Sequence, residues 1–220
     1  MGEPSDECFR LEEVDVPELS EGQLLIKVGW LSLDPYMRGR MNDVKSYVEP
    51  LQIGDVMTGE STGVVVKSSS PHFNPGDYVA VHKGWQSFIV CDDNDPRLMK
   101  LDLTNGTLSA HLGVVGMPGR TAYFGLNEVG KPKAGETLVV AAASGAVGSA
   151  VGQIAKISGL RAVGIAGGEL KCAYVRDELG FDDCIDYKAV EFDERLSQAC
   201  PEGIDIYFEN VGGAVTKAVA

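Results

Sequence analysis

In the second half of the chain, apolar residues come in short uninterrupted runs, and each run is followed by residues at helical spacing. Residues 138–142 form the clearest run. It closes in small residues at 143–148, and a helical pattern begins at once. This predicts a buried strand, a tight turn and the N-terminus of a helix. Residues 161–166 read as a second strand. Residues 169–179 predict a helix whose apolar face is Leu170, Ala173 and Leu179. Residues 183–187 predict a short strand, 190–200 a helix, and 203–210 a fourth strand that runs into Val211, Gly212 and Gly213. Such alternation implies a parallel sheet with right-handed crossovers. Ligands of these sheets bind beyond the carboxyl ends of the strands. Tyr187, Glu209 and Asn210 stand at such ends. Tyr187 as a packed aromatic and Asn210 as a plain turn residue remain open readings.

The first half has another rhythm. Residues 23–30 predict a strand, and so do 57–66, with bends at Gly59 and Gly63. A turn at 74–77 precedes a strand at 78–81, and Gly84 leads into a strand at 85–90. Short strands between Gly and Pro turns suggest a compact β-barrel domain. No internal repeat is visible, and residues 68–71 are a loop too short to be a linker. The rhythm changes near 113–119. The fold expected is therefore β plus α/β: a β domain over 1–115 and a dinucleotide-binding parallel sheet over 116–220.

Charge and composition narrow the partners. The 220 residues carry a net charge of -13, which argues against nucleic acid and anionic membranes. No apolar run is long enough to span a bilayer, and the acidic N-terminus lacks the regions of a signal peptide. The five cysteines are scattered, with no C-x-x-C pair. A cytoplasmic location with reduced thiols fits this usage best. His72, His82 and His111 lie far apart, so no metal site is expected.

The turn after the first parallel strand carries the candidate chemistry. Ala143, Gly145 and Gly148 occupy the three positions of a G-x-G-x-x-G fingerprint, with Ala in place of the first Gly. Small residues there let the backbone approach a pyrophosphate, and the helix start offers N–H groups and a positive dipole end. Small residues also serve plain strand–helix packing, so this match alone leaves both readings open. The end of the second strand adds discrimination. An NAD site carries Asp or Glu there for the ribose 2′-hydroxyl. Here Ala166 is followed by Gly167 and Gly168, and Lys171 opens the next helix. The missing carboxylate and the nearby cation point to NADP(H). Glu169 runs against this, and Lys171 taken alone is also a reasonable solvated helix lysine.

The order of these pieces resembles the medium-chain dehydrogenase/reductase superfamily, in which a GroES-like β domain precedes a Rossmann domain. The resemblance is closest to its zinc-independent group, which contains prostaglandin reductase (leukotriene B4 dehydrogenase), plant double-bond reductases and bacterial curcumin reductase. LSLDPYMR at 31–38, GMPGRTAYFG at 116–125, residues 141–148, GGELKC at 167–172 and ENVGG at 209–213 carry it. The segment from Lys45 to Val48 and the GMPGRTAY run look most like the curcumin reductase branch. Zinc enzymes of the superfamily place a Cys where Asp34, Pro35 and Tyr36 stand, and a His in a Gly-His-Glu where Thr58, Gly59 and Glu60 stand. The resemblance therefore implies a reaction without zinc.

It also implies roles. Lys171 would bind the 2′-phosphate, with Tyr187 and Gly167 at the same end. Ala143, Ser144, Gly145, Ala146 and Val147 would lie along the pyrophosphate. Met117, Thr121 and Asn210 would lie towards the nicotinamide. Tyr36 and Tyr47 would border the substrate, with Tyr47 as proton donor or orienter, or simply as a loop residue covering the cleft. The implied reaction is NADPH-dependent reduction of the carbon–carbon double bond of an enone or enal. The implied partner is thus a small unsaturated ketone or aldehyde. A quinone reductase and an NADPH-binding protein without turnover are the rival expectations. Members of the family continue with two more strands beyond the point where this sequence ends. The chain is accordingly expected to be a fragment of a longer enzyme, lacking the strands through which the family usually dimerises.

Overall fold

The computed structural model describes residues 2–44 and 48–219. They divide into two compact units, Met1–Leu112 and Gly113–Ala220.

The first unit is built on an antiparallel sheet. Its strands are β1 (Gln23–Leu31), β2 (Ser61–Ser68), β3 (Tyr78–Val81), β4 (Phe88–Asp92) and β5 (Met99–Lys100), in the order β4-β1-β2-β3-β5. Leu24, Ile26, Val65, Val79, Val81, Ile89 and Cys91 make its core. A register shift between Val28 and Trp30 marks a bulge in β1. Gly63 faces it, and a Cβ there would lie 2.2 Å from the carbonyl oxygen of Lys27. The close approach of the two strands therefore requires glycine. The predicted strand at 57–66 starts later than its apolar run. The carbonyls of Met57 and Gly59 accept from the N–H groups of Trp85 and Gly84, so this stretch is a loop contact rather than part of the ladder. The Trp85 N–H is spent in that contact, and the next strand, predicted from 85, begins at Phe88. After β1 comes one short helix, α1 (Tyr36–Arg40), which buries Met37.

The second unit opens with α2 (Met117–Phe124), extended by a π-helical turn over Gly125–Gly130. Then follow β6 (Thr137–Ala141), α3 (Ala146–Ile157), β7 (Arg161–Ala166), α4 (Glu169–Ala173), β8 (Asp183–Asp186), α5 (Phe192–Ala199), β9 (Ile206–Phe208) and α6 (Ala214–Val219). The four strands are parallel, in the order β8-β7-β6-β9. All five residues of β6 are buried, as befits a central strand covered on both faces. Leu138 and Val140 join Ala122, Leu126, Val151 and Ala155 in one core layer. Val139 and Ala141 join Val163, Ile165, Ile185, Leu196 and Val215 in the other. The alternation of β6 thus feeds two helix layers at once, α2 and α3 in one and α5 and α6 in the other.

One predicted face is wrong. In residues 169–179 the helix is α-helical only to Ala173, and a π-helical turn covers Tyr174–Glu178. Its inward residues are Cys172 and Val175, with Leu179 packed alongside, whereas Leu170 is 90% exposed. The sequence allows either phase. Cys172, Val175 and Leu179 are spaced three and four residues apart, and that set fits the groove.

Candidate functional site

The candidate cofactor residues gather at the carboxyl ends of the parallel strands. Beyond β6 the chain turns at Ala142, which takes a positive φ of 49°. The Ala143 N–H donates to the carbonyl of Ile165 at 3.0 Å, and the Gly145 N–H donates to that of Ala142 at 2.8 Å. Gly145 is the N-cap of α3, and no side chain caps this helix. The N–H groups of its first turn, beginning at Ala146 and Val147, are thus left to accept an anion. Ala146 is exposed, while Ser144, Gly145 and Val147 are partly so. Ala143 is fully buried and its side chain belongs to the core, so what it offers a ligand is backbone shape. Gly148 shows why the turn needs small residues. A Cβ there would stand 2.3 Å from the Ala142 oxygen and 3.0 Å from the Ala143 Cα.

The turn after β7 is built differently. Ala166 is buried, and Gly167 and Gly168 follow it, the latter with φ 93°. Tyr187, just beyond β8, covers Gly167 so closely that a Cβ would meet its ring at 2.9 Å. Its face also lies 5.9 Å from the Lys188 ammonium. Asp186 ends β8, and its Oδ1 accepts from the N–H groups of Gly168 at 2.9 Å and Lys188 at 3.0 Å. Those two backbone bonds, Gly168 first, hold its carboxyl below the ordinary value. Glu169 pairs with Arg176 at 2.5 Å. Both carboxylates beside this turn are therefore engaged, while Lys171 stands exposed in the first turn of α4.

Asn210 is more than a turn residue. Its Nδ2 donates to the carbonyl of Ala141 at 2.9 Å, which ties the end of β9 to the end of β6. Glu209 beside it accepts from the N–H groups of Val211 at 2.6 Å and Gly212 at 2.7 Å. It also accepts from the hydroxyls of Tyr207 at 2.9 Å and Thr216. Partial burial works against ionisation, yet the bonds from Gly212, Thr216, Val211 and Tyr207 outweigh it and hold this carboxyl down at about 2. Met117 and Thr121 sit one turn apart on the exposed side of α2, with Thr121 Oγ1 donating to Met117 Sδ at 3.5 Å.

In the first unit, Tyr36 stands at the start of α1. Its hydroxyl is 3.4 Å from His82 Nε2, which also lies 3.1 Å from Thr58 Oγ1. The two rings stack with centroids 6.2 Å apart. Burial first, and then the negative charge of Asp34, raise the Tyr36 hydroxyl above its ordinary value, so it remains a hydrogen-bond donor at neutral pH. Burial, helped by Arg97 and Arg40, lowers His82, which keeps it neutral. Tyr47 lies outside the described residues. Among the described residues, no three His, Cys, Asp or Glu side chains stand close enough to share a metal ion.

The structure thus brings together residues 143–147, Gly167, Lys171, Tyr187 and Asn210 along one edge of the parallel sheet. It adds Asp186 and Arg176, which the sequence did not single out. The strand-terminal position of Asp186 was the available signal for the first. Nothing local marks Arg176. His82, which the sequence marked only as lying apart from the other histidines, is the partner of Tyr36.

Comparison with known proteins follows the same lines. A family model described as an N-terminal domain of oxidoreductase matches residues 1–100, and one described as a zinc-binding dehydrogenase matches residues 146–220. An NADPH-dependent curcumin reductase of Escherichia coli (strain K12) is 53% identical over 218 residues, covering 99% of this chain and 63% of the relative. Prostaglandin reductase 1 of Mus musculus is 44% identical over 99% of this chain and 64% of the relative. A crystal structure of CurA from Vibrio vulnificus in complex with NADPH superposes with a TM-score of 0.92. It is 51% identical and covers 98% of this chain and 64% of that one. The chain therefore spans a little under two thirds of the length of these relatives. A crystal structure of an NAD-dependent alcohol dehydrogenase, 20% identical with a TM-score of 0.73, shares the fold.

Proposed function

Since the chain belongs to the medium-chain dehydrogenase/reductase family, in the group of the curcumin and prostaglandin reductases, we propose that it acts in NADPH-dependent reduction of the carbon–carbon double bond of α,β-unsaturated ketones and aldehydes. The observation that carries the cofactor choice is the turn after β7. It ends in Ala166, Gly167 and Gly168 instead of an acid, its two neighbouring carboxylates are engaged, and Lys171 is exposed beside it. A 2′-phosphate meets attraction there, where an NAD site would present a carboxylate to the ribose. The E. coli relative is described as NADPH-dependent, and the Vibrio vulnificus structure holds NADPH.

In this reading the uncapped N-terminus of α3 receives the pyrophosphate through the N–H groups around Ala146 and Val147, with residues 143–145 shaping the approach. Lys171 and Tyr187 hold the 2′-phosphate end. Met117, Thr121 and Asn210 line the nicotinamide half, and the bond from Asn210 to Ala141 fixes the spacing of β6 and β9 beneath it. Bound there, NADPH supplies a hydride to the β-carbon of the substrate. Negative charge would then gather on the carbonyl oxygen, where a hydroxyl donor lowers the barrier, and a proton from solvent would complete the α-carbon. Tyr36, protonated at neutral pH like any phenol, is one proposed donor. Tyr47 is the second candidate for donor or orienter. Thr58 and Glu60 stand where zinc enzymes of the family keep a Gly-His-Glu, so the proposal assigns no step to a metal.

Deuterium labelling tests this reading. NADPH carrying deuterium at C4 is mixed with the protein and a simple enone, and the product is examined by NMR. Deuterium on the β-carbon supports the proposal. Intact NADPH binding without consumption in the presence of enone, or consumption that reduces the carbonyl instead, overturns it.

A further inference from the structure

Two carboxylates flank the turn proposed to receive the 2′-phosphate. Asp186 is occupied by the backbone N–H groups of Gly168 and Lys188. Glu169 belongs to the first turn of α4, directly after Gly168, and it is 72% exposed. Left to itself, its charge would oppose a phosphate held by Lys171 two residues on. Arg176 prevents this. Its Nη2 contacts Glu169 Oε1 at 2.5 Å, while its Nη1 donates to the carbonyl of Cys184 in β8 at 3.1 Å. The second bond matters. An exposed ion pair between two free side chains contributes little, but this guanidinium is anchored to a strand and its side chain is only 31% exposed. The π-helical turn over Tyr174–Glu178 places Arg176 where it can reach both partners. Among the described residues, no contact shorter than 4 Å joins another cation to Glu169. Arg195 lines the same groove but pairs with Glu191 at 3.7 Å, and Lys188 leans on Tyr187.

We propose that Arg176 is a positioning residue for cofactor choice: by holding Glu169 it offsets the carboxylate of α4 that would otherwise repel the 2′-phosphate, and so favours NADPH over NADH. The inference rests on the NADPH reading given above. It differs from direct phosphate binding by Arg176, because the penalty it relieves resides entirely in Glu169.

The test is a double-mutant cycle. NADPH and NADH are titrated by nicotinamide fluorescence against the wild type, Arg176→Met, Glu169→Gln and the double variant. Thermal melting confirms that each is folded. A unit charge returned to the neighbourhood of a doubly charged phosphate is expected to weaken NADPH binding by about tenfold at low salt, and by less as salt screens it. Arg176→Met should therefore lose about tenfold for NADPH and keep its NADH affinity. Glu169→Gln should bind NADPH at least as well as the wild type, and adding it to Arg176→Met should restore the loss. A loss that Glu169→Gln does not restore would mean direct phosphate binding or a collapsed turn, and would overturn the proposal. Equal losses for both cofactors would also overturn it. A wild type that prefers neither cofactor would instead remove the NADPH reading itself, and the inference with it.

Discussion

Gly148→Ala probes the turn on which the account depends. The added Cβ would stand 2.3 Å from the Ala142 oxygen, 2.9 Å from its carbonyl carbon and 3.0 Å from the Ala143 Cα. Relieving the first contact needs a backbone shift of about 1 Å, since non-bonded atoms settle near 3.5 Å. Ala142 has little freedom to give. It already holds a positive φ of 49°, and its carbonyl accepts the Gly145 N–H at 2.8 Å. Overpacking of this kind costs about 1–3 kcal/mol, and loss of the turn's hydrogen bond costs about 1 kcal/mol more. Against that, Ala in place of a helical Gly returns about 1 kcal/mol. The net expectation is a destabilisation of about 1–3 kcal/mol, or a fall in melting temperature of about 2–10 °C for a chain of this size. NADPH affinity should fall by about tenfold or more, because the moved backbone is the one that faces the pyrophosphate. Gly145→Ala is the control. Its Cβ would lie 3.1 Å from the same oxygen at an ordinary φ of -80°, so its stability should stay within about 0.5 kcal/mol of the wild type. Urea unfolding and cofactor titration of both variants provide the comparison. A Gly148→Ala protein as stable as the wild type, with unchanged NADPH affinity, would refute the close-approach argument.

Glu209 gives a pH signature. Its carboxyl is held at about 2 in the folded chain against 4.5, so its contribution is complete above 4.5 and is lost as pH falls towards about 2. Acid unfolding of Glu209→Gln should be flatter than that of the wild type across this window, and identical slopes would sink the assignment. Leu138→Ala should cost about 2–5 kcal/mol in urea unfolding, since this fully buried side chain fills the layer between β6 and its helices. A cost below 1 kcal/mol, on that same estimate, would contradict the packing described. Tyr36→Phe should lower kcat for enone reduction by about tenfold or more while leaving NADPH affinity unchanged. An unchanged kcat would remove Tyr36 from the reaction.

What the sequence revealed is what is local. The run from Leu138 supplies the central strand because it is apolar at every position, and the small residues Ala143, Gly145 and Gly148 announce the turn, Gly148 most strictly because a Cβ there meets the Ala142 oxygen at 2.3 Å. Lys171 and the acid-free end at Ala166 were readable for the same reason. The phase of α4 was not, because Leu170 and Cys172 compete for the inward position. The turn that decides between them is fixed by Asp186, eighteen residues beyond Gly168. Arg176 closes on Glu169 only because a π-helical turn intervenes and β8 supplies a carbonyl. Asn210 reads as a turn residue until β9 is laid beside β6 and Ala141 comes within reach. Likewise His82 gains its meaning from Tyr36, forty-six positions away. Contacts between distant segments, not residue preferences, carry these parts of the site.

The central claim is that the turn after β7 receives the 2′-phosphate of NADPH on Lys171. It is tested most directly by titrating the wild type and Lys171→Ala with NADPH and NADH. The variant should lose about 1.5–3 kcal/mol of NADPH affinity, the worth of a charge-assisted contact, and keep its NADH affinity. Equal losses for the two cofactors, or none for either, would contradict the account.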